Sequence, residues 1–173
     1  EKRGSLWAWA VVVSRDNPLE EISVEELKNL FGAERSGGWE LVENDYRYTA
    51  KYARHNSSNI RTWDQLGLKG EYRGREIQTF GYSAPGFAIY FERNWFHWSK
   101  KWNPNFMEYV EYKQTSPGDD GAKVASTAPL ERLGRNKYAI GLAGLMHVKN
   151  YPDVKVLRIS HTRGGEAIPL TAE

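Results

Sequence analysis

The sequence predicts an α/β three-layer sandwich built on a mostly parallel, five-stranded sheet. Two observations carry that expectation. Residues 6–13, LWAWAVVV, form an unbroken apolar run rich in β-branched and aromatic residues, the composition of a strand buried on both faces. Further strand-like segments, at 76–82, 107–113, 138–142 and 154–159, are interleaved with segments of helical periodicity. With 173 residues the chain is long enough for one domain with a substantial core.

Taken in order, the elements are justified as follows. After the first strand, Asn17-Pro18 breaks the chain. Ser23 and Glu26 form an S-x-x-E capping box, and Val24, Leu27, Leu30 and Phe31 share one helical face, with Gly32 as the stop. Residues 33–60 are polar and Tyr-rich, with Gly37-Gly38 and Ser57-Ser58 as flexible points. A structureless loop of that length is uncommon, so this insertion is expected to carry order, with 39–42 and 46–52 as strand candidates. Residues 63–66 read as one helical turn. The strand at 76–82 leads into a helix starting at Pro85 or Gly86 and running to about Trp102, where Asn103-Pro104 ends it. Its aromatic stripe includes Trp95, Trp98 and Trp102 at helical spacing, which reads as core or interface packing. A helix over 121–133 follows, disturbed by Pro129.

The bulk numbers exclude several classes. Hydrophobic residues are 40% and charged residues 27%, and the net charge is +2 from 24 basic and 22 acidic residues. Such a balance gives no drive toward nucleic acid or an anionic membrane. Without cysteine there is no disulfide framework, thiolate metal site or cysteine nucleophile. No apolar run approaches the roughly 20 residues of a membrane helix. The four histidines, His55, His97, His147 and His161, have no metal-ligand spacing, and no nucleophile elbow, phosphate loop or dinucleotide fingerprint occurs. Gly141 to Gly144 lack a phosphate-loop lysine and read as a turn. No cofactor, metal or catalytic constellation is expected. The chain opens on Glu1 rather than Met, which predicts a processed or trimmed product.

The most informative stretch is residues 81–91, GYSAPGFAIYF. It reads as a strand end, a Ser/Gly turn and the first turns of a helix. Such a junction presents unpaired backbone N–H groups and the positive end of the helix dipole to one point, a seat for an anion or polar ligand. A second loop, PGDDGAK at 117–123, places Asp119 and Asp120 before a helix. Capping is the favoured reading for both; a hydrogen bond to a ligand hydroxyl or a loose cation site is the other.

Several segments together resemble the phosphate-type periplasmic solute-binding proteins of ABC importers, the type II periplasmic-binding-protein fold. VVVSRDNPL at 11–19 is similar to the family's crossing strand, and SVEELKNLFG at 23–32 to its leucine-rich helix. TWDQLG at 62–67 is similar to the piece that normally follows that helix closely, but here it comes after the polar insertion. YAIGLAGL at 138–145 resembles an Ala-Ile-Gly-Tyr strand, and AIPLTAE at 167–173 the Pro-Thr-x-Glu return segment. The pieces stand in the family's order and cover mainly one of its two lobes. The resemblance implies a non-enzymatic, periplasmic or extracellular receptor for a small solute such as an oxyanion, working with ABC importer membrane subunits. On this reading the 173 residues are a lobe-sized piece.

The resemblance also implies a ligand site at 81–87. The family motif is Arg-x-x-x-Ser-Gly-Thr opening a helix, with the Arg fork paired to the oxyanion. Anchored on Gly86, the motif places Gly81 at the Arg, Pro85 at the Ser and Phe87 at the Thr. Shifted by two, Ser83 takes the Ser position and Thr79 the Arg. Neither register keeps the arginine, whose charge-assisted hydrogen bond is worth about 1.5–3 kcal/mol. Three readings follow. The backbone seat binds an anion with help from Ser83 and a basic residue such as Arg73 or Arg75. The site has turned to an organic solute met by Tyr82 and Phe87. Or ligand binding is lost and the domain is an interaction or regulatory module. The expected ligand-binding residues are Gly81, Tyr82, Ser83, Gly86, Phe87, Asp120 and Gly121.

Overall fold

A computed structural model describes residues 9–82, 85–109 and 127–169. The main-sheet strands are β1 (Trp9–Ser14), β5 (Gln78–Tyr82), β6 (Phe106–Tyr109), β7 (Ala139–Gly144) and β8 (Val154–Val156). Between and after them lie β2 (Glu21–Ser23), β3 (Gly38–Val42), β4 (Asp45–Thr49) and β9 (Arg158–Ser160), with helices α1 (Val24–Phe31), α2 (Pro85–Phe96), α3 (Ala128–Gly134) and α4 (Leu145–Val148). The five-stranded sheet has the order β6-β5-β7-β1-β8. β5 runs parallel to β6 and β7, while β1 runs antiparallel to both β7 and β8. A mostly parallel sheet with one reversed strand near its middle results.

The strand alternation sorts side chains into two cores. Val11, Val13, Ile140 and Leu142 face α1 and α2, joining Leu30, Phe31, Trp63, Phe91 and Phe96. Ala10, Val12, Ala139 and Ala143 face Leu130 and Leu133 of α3. Helices thus cover both faces and complete the three layers. Covered faces explain why β1 reads as a parallel strand although it is reversed: a central strand is buried on both sides whichever way it runs. Trp63 is fully buried and donates Nε1–H to the Tyr138 carbonyl at 3.1 Å, which locks the segment before β5 onto the chain entering β7.

Other elements depart from their sequence-based bounds for local reasons. The α1 capping box forms as expected, with Glu26 N–H donating to Ser23 Oγ at 3.1 Å and Ser23 N–H to Glu26 Oε2 at 2.9 Å. α2 stops at Phe96, well short of Trp102. His97, Trp98 and Lys100 take positive φ, and the His97 carbonyl accepts from Trp39 N–H of β3. Trp102 therefore packs from a loop, stacked on Phe106 at 4.6 Å, rather than from a helix face. The 107–113 strand is described only as far as Tyr109, and the part of the 121–133 helix before residue 127 lies outside the described residues. In α3, Pro129 sits in the first turn, where a missing N–H costs nothing, so it opens the helix instead of disturbing it. Residues 141–144 are not a turn but part of the fully buried β7. The 154–159 strand is two: β8 in the main sheet and β9, parallel to β2.

Segment 33–60 is ordered. β3 and β4 form a hairpin around Glu43 and Asn44, both at positive φ as a tight two-residue turn demands. The hairpin base rests against the end of α2, where Tyr52 stacks on His97 at 3.6 Å between ring centres. Burial, and then the charges of Arg35, Lys28 and Lys51, hold the His97 imidazole below its ordinary value of 6.5.

Two measurements test this packing. A Cβ on Gly141 would come within 2.7 Å of Leu133 Cδ1, so Gly141→Val should cost about 1–3 kcal/mol of unfolding free energy in urea titrations; an unchanged midpoint would contradict the contact. For His97 the folded chain takes up its proton at lower pH than the unfolded chain. Its contribution is therefore present above the unfolded value of 6.5 and lost as pH falls through the depressed folded value. His97→Asn, which tolerates the positive φ, should flatten the loss of stability on acidification below 6.5; an identical pH profile would rule the histidine out.

Candidate functional site

The candidate site is the junction of β5 and α2. β5 lies between β6 and β7 and all three run the same way, so their carboxyl ends converge on one edge of the sheet. In open α/β sheets that edge is where ligands bind. Gly81 is buried and pairs in register with Glu108, and Tyr82 with Tyr109. β7 ends beside them at Gly144, which leads into α4.

α2 is 12 residues long and opens with Pro85. Proline at the first helical position sacrifices an N–H that has no intrahelical partner, and its fixed φ sets the helix direction. The amides that follow are the unpaired donors at the positive end of the dipole. Gly81, Tyr82 and Gly86 are thereby brought to one edge through the backbone. For Tyr82, Gly86 and Phe87 the backbone alone is described, and Ser83, Asp120 and Gly121 lie outside the described residues.

The basic residues expected to assist stand elsewhere. Arg75 lies before β5, with its guanidinium 5.1 Å from the centre of the Tyr138 ring. β5 spans about 16 Å at roughly 3.3 Å per residue, so Arg73 and Arg75 belong to its far end. Beside the junction, between the sheet and the α1–α2 layer, lies an apolar cleft of about 300 Å³. Trp9, Val11, Leu27, Tyr90, Phe91 and Leu142 line it, all of them read from sequence as core positions or not singled out. Its signal was the aromatic content of α2, but helical periodicity alone does not separate a packed stripe from a cleft wall. Among the described residues no group of three or more His, Asp or Glu side chains gathers to hold a metal, and no helix is long and apolar enough to cross a membrane.

Neither a protein-family model nor a curated relative matches the sequence. Solved structures do. A protein from Planctomyces limnophilus, described as a possible phosphate binding protein, aligns at a TM-score of 0.59 and 17% identity over 95% of this chain and 45% of its own. A candidate phosphate ABC transporter substrate-binding protein from Clostridium perfringens, solved with bound phosphate, gives 0.57 and 14% over 94% of this chain and 48% of its own. An ABC-type phosphate transport receptor from Vibrio cholerae gives 0.53 and 14% over 88% and 46%. The chain spans about half the length of each. It has the fold of a lobe of the phosphate-binding receptors of ABC transporters.

Proposed function

We propose that the chain is a non-enzymatic, extracytoplasmic solute-binding domain, with 33–60 as an insertion, whose ligand docks on the N-terminus of α2. The observation that supports this most directly is the β5–α2 junction, set at the carboxyl edge of a sheet whose fold is that of phosphate receptors. The ligand class is a small oxyanion or a polar organic solute carrying one. Backbone donors from Gly86 onward supply the contacts, joined by Ser83 and by groups near Asp120 and Gly121. With glycine or threonine standing at the family's arginine position, the fork that would neutralise the anion does not come from this motif. Affinity for bare phosphate is correspondingly reduced, by about tenfold or more for one lost charge-assisted hydrogen bond. In the receptors that close like a hinge, a second lobe would supply the remaining contacts. ABC importer membrane subunits are the partners this reading implies.

A rival reading is an interaction module that kept the fold and lost the ligand. The hairpin favours it: Leu41 is 60% exposed and Tyr48 52%, with Trp39 and Tyr46 also exposed on the same hairpin. Calorimetry and thermal shift against phosphate, sulfate, molybdate and small sugars separate the two. The receptor reading expects at least one solute to raise the melting temperature, and Gly86→Trp to abolish that binding. No response from any solute sinks it for this chain, and undiminished binding by Gly86→Trp moves the site elsewhere.

A further inference from the structure

Away from α2's start, segment 33–60 builds a pocket of about 360 Å³ against the loop that follows α2. Arg35, Arg54 and Lys101 line it together with Ser36, His55 and Asn56. It lies past the C-terminal end of α1, where Gly32 meets Phe96 at the end of α2. The α2 seat is therefore at the other end of a helix about 18 Å long, at 1.5 Å per residue.

The pocket holds cations that the fold crowds together with a single carboxylate, Glu34, among them. Arg35 and Arg54 face each other across an antiparallel bridge, with Arg35 N–H donating to the Arg54 carbonyl at 3.0 Å and the reverse bond at 2.8 Å. Like charges directly opposite one another are destabilising. Arg54 spends Nε and Nη2 on Asn29, while its Nη1 is buried with no acceptor. Arg35 spends Nε on the Tyr52 carbonyl. Among the described residues no carboxylate forms an ion pair with Arg35, Arg54 or Lys101. The one carboxylate on the wall, Glu34, accepts instead from Asn59 Nδ2 at 2.9 Å. Burial, and then the neighbouring Arg35 and Arg61, lower the Arg54 guanidinium to about 10, against a smaller opposing pull from Glu34.

We propose that this pocket is an oxyanion site for a phosphoryl group, free phosphate or a phosphate monoester, gripped by Arg35, Arg54 and Lys101. The site is independent of the α2 seat. The Arg35 terminal nitrogens suit phosphate oxygens as a fork, with Arg54 and Lys101 as nearby charges; Ser36 and Asn56 add neutral polar groups, and the pocket has room for a monoester's organic part.

The test is an amide-resolved NMR titration of the full 173-residue chain with inorganic phosphate and, in parallel, glycerol phosphate, at constant ionic strength. The expected result is saturable shifts at the amides of residues 34–36 and 54–56. A tighter curve for one ligand identifies which form of the phosphoryl group fits. Lys101→Gln should weaken either titration by about tenfold, the loss of one hydrogen bond to a charged group, while Lys101→Arg retains it. Gly86→Trp should leave these shifts intact, which separates this pocket from the α2 seat. Silent amides at 34–36 and 54–56, equal shifts from chloride, or an unchanged curve in Lys101→Gln would each overturn the proposal.

Discussion

The carbonyls at the end of α1 are the constraint on which the surrounding structure depends. A helix leaves its last four carbonyls without partners. Here Arg61 donates to the carbonyls of Asn29, Leu30 and Gly32 at 3.1, 3.2 and 2.8 Å, Arg54 to that of Asn29, and Asn103 Nδ2 to that of Leu30. These donors come from two chain segments remote from the helix. One interaction set thus caps α1, fixes segment 33–60 and pins the loop before β6. Burial holds the guanidinium of Arg61 below its ordinary value, yet the helix C-terminus is where a cation is favoured by the dipole.

From that anchor the two ends of the α1–α2 layer acquire different characters. At the start of α2 the donors are backbone amides, uncharged and fixed by the helix. At the end of α1 they are side-chain cations. The first arrangement offers dipole and fixed geometry, the second offers charge. The same layer also makes the apolar cleft beside β1 and β7, so polar and apolar surfaces share one structural support.

Much of this was legible in the sequence. Ser23 and Glu26 announce α1 because a capping box is a local device. The apolar run before Ser14 announces a central strand, though not its direction, since burial on both faces looks the same either way. The end of α2 was not legible. Trp95, Trp98 and Trp102 keep a helical spacing that the backbone abandons at His97, where the hairpin takes the carbonyl a helix would have used. The Arg54 and Arg61 caps join positions 25 and 29 residues apart, and no local pattern encodes such a pairing. At the α2 seat, GYSAPGF indicates a strand-to-helix turn, but no local pattern says which of its side chains would meet a ligand.

The reversed central strand has a consequence for how the chain assembles. Among the described residues the ladder partners of β1 are β7 and β8, with Trp9 opposite Gly144 and Ser14 opposite Val154. During synthesis β1 can pair in the main sheet only after β7 and β8, residues 139–156, have been made. Contacts of such long sequence separation slow folding, and an apolar strand with two open edges is a template for wrong pairing in the interval. A truncation that removes β7 and β8 strips β1 of both its ladder partners and leaves a deeply buried apolar strand with two open edges, the arrangement most prone to wrong pairing.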